Sequence, residues 1–487
     1  MKKQLALIAV CALTTTLWRC GSSDDKPEVK TLTTEETTPS EFNINFTFYP
    51  PSDLDSNATP QQLIEFAWEE FFALNWKSSY SKDHLRDHPD TTWNFGSDTL
   101  PFPDTLVWET YAHRSELRPY SNNMQVFDAP PHYSYGVPLS AYPGSNASFS
   151  LFDVLDENNE IGSCDMYAHT DVYNKQYEVL YQAKVNRDEY NYIYSHYPKK
   201  AALDSARLYT QRMIAKNNYY YPGVTNSCNC PENYKGVSLP CGNKKAGRIG
   251  AMEVKTAWRE LTPKDDATKF LTRTVVYFQK QNNKVYYNNK TYALIGLHII
   301  HKTTNYEDFV FATWEHVGVE KDAMGYQLLS DVTGQDSGTL VKSFSRLHPV
   351  TPLADSSTSY VHRKLRNMNP NSIWLNYRLI GVQATPTNDT TSFNFFLANY
   401  VVESDPTLND FHGSGIGHPH DGLPNTLYRG AKLTMGGCQG CHGVAQITLG
   451  TDFSFLLDTV GKPIYSPDLR GDQINKLQRL IRATRKK

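Results

Sequence analysis

The sequence predicts an α+β protein: a β-rich antiparallel sheet or sandwich as the body, flanking helices, and a small C-terminal segment of different character. Three observations carry this. Between about residues 246 and 404, apolar residues recur with a period of two in runs rich in Val, Ile, Tyr, Phe and Thr. Before that stretch, several segments show helical spacing instead. After Asp405 the chain turns Gly- and His-rich and reaches a close cysteine pair, Cys438 and Cys441.

In chain order, Met1–Lys3 give a positive start and Leu5–Trp18 an apolar run of 14 residues, too short to span a bilayer comfortably. The run ends at Cys20, followed by Gly-Ser-Ser-Asp-Asp. This resembles a bacterial lipoprotein signal over residues 1–20. The resemblance implies export, lipidation of Cys20, and an outer-membrane lipoprotein facing the periplasm or the cell surface. Arg19 departs from the pattern, in which a small residue precedes the cysteine. A secreted protein cut elsewhere, or an uncleaved anchor, is the competing reading. Residues 21–58 are polar, with several prolines, and read as a disordered tether.

Residues 59–245 read as a helical and loop-rich region packed on the body. Thr59-Pro60 opens a helix, because a cap residue followed by proline suits a first turn. Leu63, Phe66, Ala67, Phe71 and Leu74 follow at helical spacing, with Glu70 among them. Residues 80–145 read as long loops, and helices are expected at 174–195 and 201–216. Residues 246–404 read as the β-rich domain, with strands at 247–260, 271–280, 291–302, 308–317, 373–384 and 393–402. Asn288-Asn289-Lys290 looks like a hairpin turn. Residues 405–487 form the last segment, closing with a helix from Asp472 to Arg482.

A net charge of -3 with no basic stripe leaves nucleic-acid binding unsupported. The sequence has no nucleotide-binding glycine signature, nucleophile elbow or H-E-x-x-H. Of the eight cysteines, Cys11 falls in the signal and Cys20 is the lipid candidate. Cys164, Cys228, Cys230 and Cys241 form an even remainder, which in an exported protein reads as two disulfides of open connectivity. Cys228 to Cys230 is the least comfortable pairing, since one intervening residue strains the bridge. A zinc site in the S-C-N-C-P…L-P-C-G loop is the alternative, although the spacing lacks a second close pair.

The strongest signal is Cys438-Gln439-Gly440-Cys441-His442. Two thiols at this spacing can each add to a haem vinyl group while the adjacent imidazole supplies the proximal iron ligand. A redox dithiol and a zinc site compete for a bare C-x-x-C. The following His, the export signal and the lead-in Met435-Gly436-Gly437 favour one covalent haem c. Through these residues the last 80 or so positions resemble c-type cytochromes. More broadly, A-W-E-E-F-F-A-L-N-W, E-V-K-T-A-W-R, G-L-H-I-I-H-K-T, A-T-W-E-H and G-C-Q-G-C-H-G resemble a group of large bacterial cytochrome c proteins, from about residue 60 to 460. The single C-x-x-C-H makes the expected protein mono-haem, and the likeness brings no known activity with it.

Small soluble cytochromes place the motif early and take a methionine as sixth ligand from downstream. Here neither Met nor His follows His442. The sixth ligand is therefore expected from upstream, from another molecule, or not at all. His412, His418 and His420 lead the upstream candidates; Met435 is too close in sequence to reach the opposite haem face, and Met252 and Met368 are arbitrary choices. A second constellation lies in the strands. Glu253 and Lys255 share one strand face with Trp258 on the other, and His298 and His316 sit in apolar runs. Such groups are costly to bury unless paired, so they mark either a structural network or a site. In a site, His298 or His316 would be a general base or a distal haem ligand, oriented by Glu253 and Lys255.

Three functions remain open at this level. One is electron transfer to a redox partner by a lipid-anchored mono-haem cytochrome. Another is a haem-dependent oxidoreductase with a substrate pocket in the β-rich domain. The last is a glycan- or protein-binding module with a structural or sensory haem.

Overall fold

A computed structural model describes residues 41–458, apart from 97–101, 118–123, 132–138, 142–151, 156–165, 170–175, 218–223, 262–264, 320–325, 329–347, 403–426, 429–430, 433–435 and single residues 232, 283, 388, 390 and 400. The expected signal, Cys20, Cys164, Met435, the His412, His418 and His420 trio, and the terminal helix lie outside the described residues.

An eleven-stranded sheet organises the chain. Its long members are β1 (Gln176–Val185), β2 (Met252–Glu260), β3 (Thr272–Gln281), β4 (Lys284–His301), β5 (Val310–His316) and β6 (Tyr377–Gln383). β1 pairs with β2 and β2 with β4, all antiparallel. β3 pairs with the first part of β4, β5 with its end, and β6 lies on β5. Two short pairings, 139–141 on β4 and 154–155 on β3, are parallel. The sheet is thus mixed rather than purely antiparallel. A two-stranded ribbon at 427–432 is the other described sheet, so the sandwich alternative is not what these strands build.

One face of the sheet is an aromatic core under two helices. α1 (Pro60–Leu74) begins at Thr59, whose side chain and that of Gln62 satisfy each other's backbone N–H groups, worth about 1 kcal/mol. It buries Trp68, Phe71, Phe72 and Leu74 against Trp314 of β5. The later helix α4 (Pro352–Met368), capped by Thr351, packs beside α1, and Ser357 accepts the Trp68 indole N–H at 2.9 Å. α2 (Arg187–His196) and α3 (Lys200–Asn217) belong to the other face, whose core joins Ala183, Val185, Ile300 and Phe311 to Tyr190, Leu203 and Phe453.

Several expectations change here. Residues 176–185 form a strand, and the helix starts only after Asn186, which caps it. Tertiary pairing on two sides overrides a pattern that also fits a helix. The hairpin turns at Asn282, in a left-handed conformation, and β4 runs straight through Asn288-Asn289-Lys290, where each residue has a partner on β3. Residues 393–396 are a 3-10 turn, and the segment after it packs on the sheet without joining it. The sheet crosses the expected 245/246 boundary, because β1 belongs to it. Order begins earlier than the tether reading allowed: Phe42 and Ile44 are buried in the α1–α4 core, although polar neighbours mask them in sequence.

Candidate haem site

The C-x-x-C-H lies on the helix α5 (Gly437–Val444). Its N-terminus is fastened to the sheet by two buried glutamines. Gln383, the last residue of β6, donates through Nε2 to Gly436 O at 2.9 Å and accepts from Gln439 N at 2.8 Å. Gln439 donates in turn to Asp308 O at 3.2 Å and Phe309 O at 3.0 Å, just before β5. Gly437 has φ +65°, and an added Cβ would stand 2.1 Å from Asn394 O, so only glycine fits.

Within α5, Cys441 is buried and Cys438 half-buried, its thiol 3.8 Å from Leu397 O. The two thiols are not bridged to each other. His442 donates from Nδ1 to Phe453 O at 2.6 Å and packs against Phe311 (ring centroids 4.8 Å) and Phe455 (5.2 Å). That hydrogen bond fixes the tautomer and leaves Nε2 as the basic nitrogen. His442 keeps some solvent contact, yet desolvation lowers its pKa to about 4; the bond to Phe453 opposes the shift and the charge of Lys255 adds to it.

The carbonyl that holds His442 is itself held by a tight turn. Asp452 and Phe453 have φ of 55° and 65°, a conformation that costs a non-glycine residue on the order of 1 kcal/mol or more. Asp452 is pinned by Lys302 Nζ at 2.5 Å, both side chains fully buried, and by Leu239 N at 2.6 Å; its own N–H donates to Gln446 at 2.8 Å. Removing Lys302 would leave the buried carboxylate without its counter-charge, so the ion pair fixes the turn strongly whatever its net stability.

The sheet beneath brings most of the second constellation to the same place. Val185, Glu253, Ile300, Phe311 and Gln383 form one row across β1, β2, β4, β5 and β6. Ala183, Lys255, His298, Thr313 and Gly381 form the next. Since Phe311 touches His442, both rows lie on the face that α5 covers. His298 is 7% exposed, and its pKa falls to about 3, from desolvation first and then the charges of Lys255 and His442. Glu253 is buried beside Glu189 of α2, with Ser454, Lys255 and Asp452 nearby; desolvation raises it to about 7 and raises Glu189 well above the usual range.

His316 is not part of this arrangement. It stacks on Phe270 at 4.1 Å, its Nε2 meets Lys269 O at 3.1 Å and its Nδ1 accepts from Gly318 N at 3.1 Å. Both ring nitrogens are used, which gives it a structural role. Met252 packs in the opposite core beside Tyr111, and Met368 is exposed at the end of α4. Cys228 and Cys241 form a disulfide, closing a loop of sequence separation 13, worth about 3 kcal/mol. This takes two thiolates from the zinc alternative. Cys230 is not in a disulfide, so no second bridge occurs among the described residues, and burial raises its thiol pKa to about 11.

The donor set suits a haem. Two unbridged thiols and an imidazole with a committed Nδ1 come from one helical turn, against a wall containing Phe311 and Phe455. Gln383 and Asp452, which help to hold this site, carry no motif in the sequence, and the roles of Gln439 and Lys302 are not legible from the segments that contain them. Among the described residues no three His, Cys, Asp or Glu side chains converge as a site for a bare metal ion. No family model, curated protein or solved structure matches the chain.

Proposed function

We propose that the chain is an exported, lipid-anchored mono-haem c-type cytochrome that passes electrons to a redox partner protein. The observation that carries the reading is the C-x-x-C-H on α5 with its histidine fixed through Nδ1. Cys438 and Cys441 would hold the group by thioether bonds, and His442 would present Nε2 to the iron. When bound, haem supplies reversible one-electron chemistry between ferric and ferrous iron.

The remaining work falls to the chain. Phe453 O orients the imidazole, and its hydrogen bond makes Nε2 a better donor. The Lys302–Asp452 pair holds the turn that carries this carbonyl. Phe311 and the apolar residues around it exclude water, which limits the solvent reorganisation that accompanies a change of charge. The tether and lipidated Cys20 would keep the protein at an outer membrane, facing the periplasm or the cell surface.

The test is a potentiometric titration of protein made with haem-maturation machinery, followed optically. The expected result is a reversible one-electron transition with sharp reduced bands, lost with covalent haem staining in Cys438→Ala/Cys441→Ala. Irreversible reduction, or rapid turnover of peroxide by a high-spin iron, would favour the oxidoreductase reading instead.

A further inference from the structure

Three groups on the described chain border α5 without a part in haem attachment: the Glu189–Glu253 carboxyls, the Lys302–Asp452 pair, and His298 with Lys255. The pair is accounted for by the turn it fixes. The carboxyls affect folding, as discussed below. His298 is different, because an imidazole is a strong iron ligand and its position follows from strand register.

Phe311, which touches the His442 ring, is paired with Ile300 on β4. His298 is two residues from Ile300, on the same strand face, so it is the next side chain along the wall under α5. Its cross-strand neighbours are Lys255 and Thr313. Thr313 is bound by Asn399 at 2.8 Å, within the stretch that runs from Leu397, the residue beside the Cys438 thiol, to Val401. Val401 approaches Gly296, the residue beyond His298 on that face, so closely that a Cβ there would stand 2.3 Å from its methyl. His298 therefore lies on the sheet face that carries Phe311, between the Gly296 and Ile300 positions, and within electrostatic reach of His442. The other histidine of the same run, His301, points to the opposite face and is bound to Glu70 at 2.5 Å and Ile249 O at 2.7 Å.

We propose that His298 supplies the second axial ligand of the haem, giving a bis-imidazole iron whose two ligands come from α5 and from β4. This rests on the haem reading above. Coordination needs only the lone pair of the neutral imidazole; no proton, electron or leaving group is exchanged. Lys255, in register beside it, disfavours a second positive charge and so helps keep the ring neutral. The device differs from a ligand on a loop, because a buried central strand holds His298 in one place.

The experiment compares ferric spectra of the holoprotein with those of His298→Ala and His298→Met, each checked for covalent haem by denaturing-gel staining. The wild type is expected to be low-spin, with a bis-imidazole signature in electron paramagnetic resonance and near-infrared magnetic circular dichroism. His298→Ala should keep the haem stain, turn high-spin, and return to low-spin on adding imidazole. His298→Met, which keeps most of the side-chain volume, should show a His–Met signature and a higher midpoint potential; it decides the matter if the alanine variant does not fold. A stained wild type that is high-spin, or variants with unchanged bis-imidazole spectra, would overturn the assignment and leave haem attachment standing. The second outcome would direct attention to His412, His418 and His420. An unstained wild type would overturn both readings together.

Discussion

At the residue scale, the groups that matter most are buried charges and hydrogen-bonding side chains whose partners lie far away in sequence. Glu189 and Glu253 sit side by side under the turn that holds His442, facing Ser454, Lys255, Asp452 and Lys302. Two such carboxyls cannot both ionise cheaply, so the folded protein retains a proton there that the unfolded chain releases near 4.5. With the folded pKa of Glu253 raised to about 7 and that of Glu189 raised well above the usual range, the folded pair binds more protons than the unfolded chain above 4.5. The contribution of Glu253 to stability is therefore fully present below about 4.5 and is lost as pH rises through 7. Glu253→Gln should flatten this part of the profile and gain on the order of 1–3 kcal/mol relative to wild type at pH 8, measured by urea unfolding at several pH values. A wild-type profile unchanged by the substitution would show that the carboxyls do not share a proton. The Glu70–His301 pair belongs to the same class. Its atoms are fully buried, and both ring nitrogens of His301 are bonded.

At the scale of elements, α5 is a short helix whose position depends on its ends. Gly437 can be tested directly. Alanine there would need both a left-handed backbone and space already filled by Asn394 O and Gln383 Oε1. Gly437→Ala should destabilise the fold by roughly 1–3 kcal/mol and lower the yield of covalent haem, read by haem stain per milligram of protein. An unchanged yield and midpoint would mean that α5 docks by some other means. The strands β2, β3 and β5 and the helices α1 and α3 are legible in the sequence because their apolar residues repeat at the right period. β1 is not, because both of its faces are buried and Gln182 and Lys184 are satisfied by backbone carbonyls far away in sequence. The hairpin turn differs from its expected place for a related reason. Two asparagine pairs, Asn282-Asn283 and Asn288-Asn289, lie six positions apart, and only pairing with β3 distinguishes turn from strand.

At the scale of the whole molecule, the haem motif is legible from five residues, but its surroundings are not. Those surroundings come from β2, β4, β5 and β6, from the 397–402 stretch, and from contacts such as Arg207 on Leu449 O at 2.9 Å. Around the site, sequence separations between partners reach 242 residues, beyond any local pattern. The expected boundary near 405 therefore does not bound the site: residues 405–487 expressed alone should fail to form a folded holocytochrome, shown by proteolysis and a disordered amide spectrum. A stable, stained fragment would contradict that. The most direct test of the central claim is the intact mass of the full chain under denaturing conditions, after production with haem-maturation machinery. The account predicts the added mass of one haem on the wild type and none on Cys438→Ala/Cys441→Ala. A wild type that carries no haem, with Cys438 and Cys441 as free thiols or a disulfide, would contradict it.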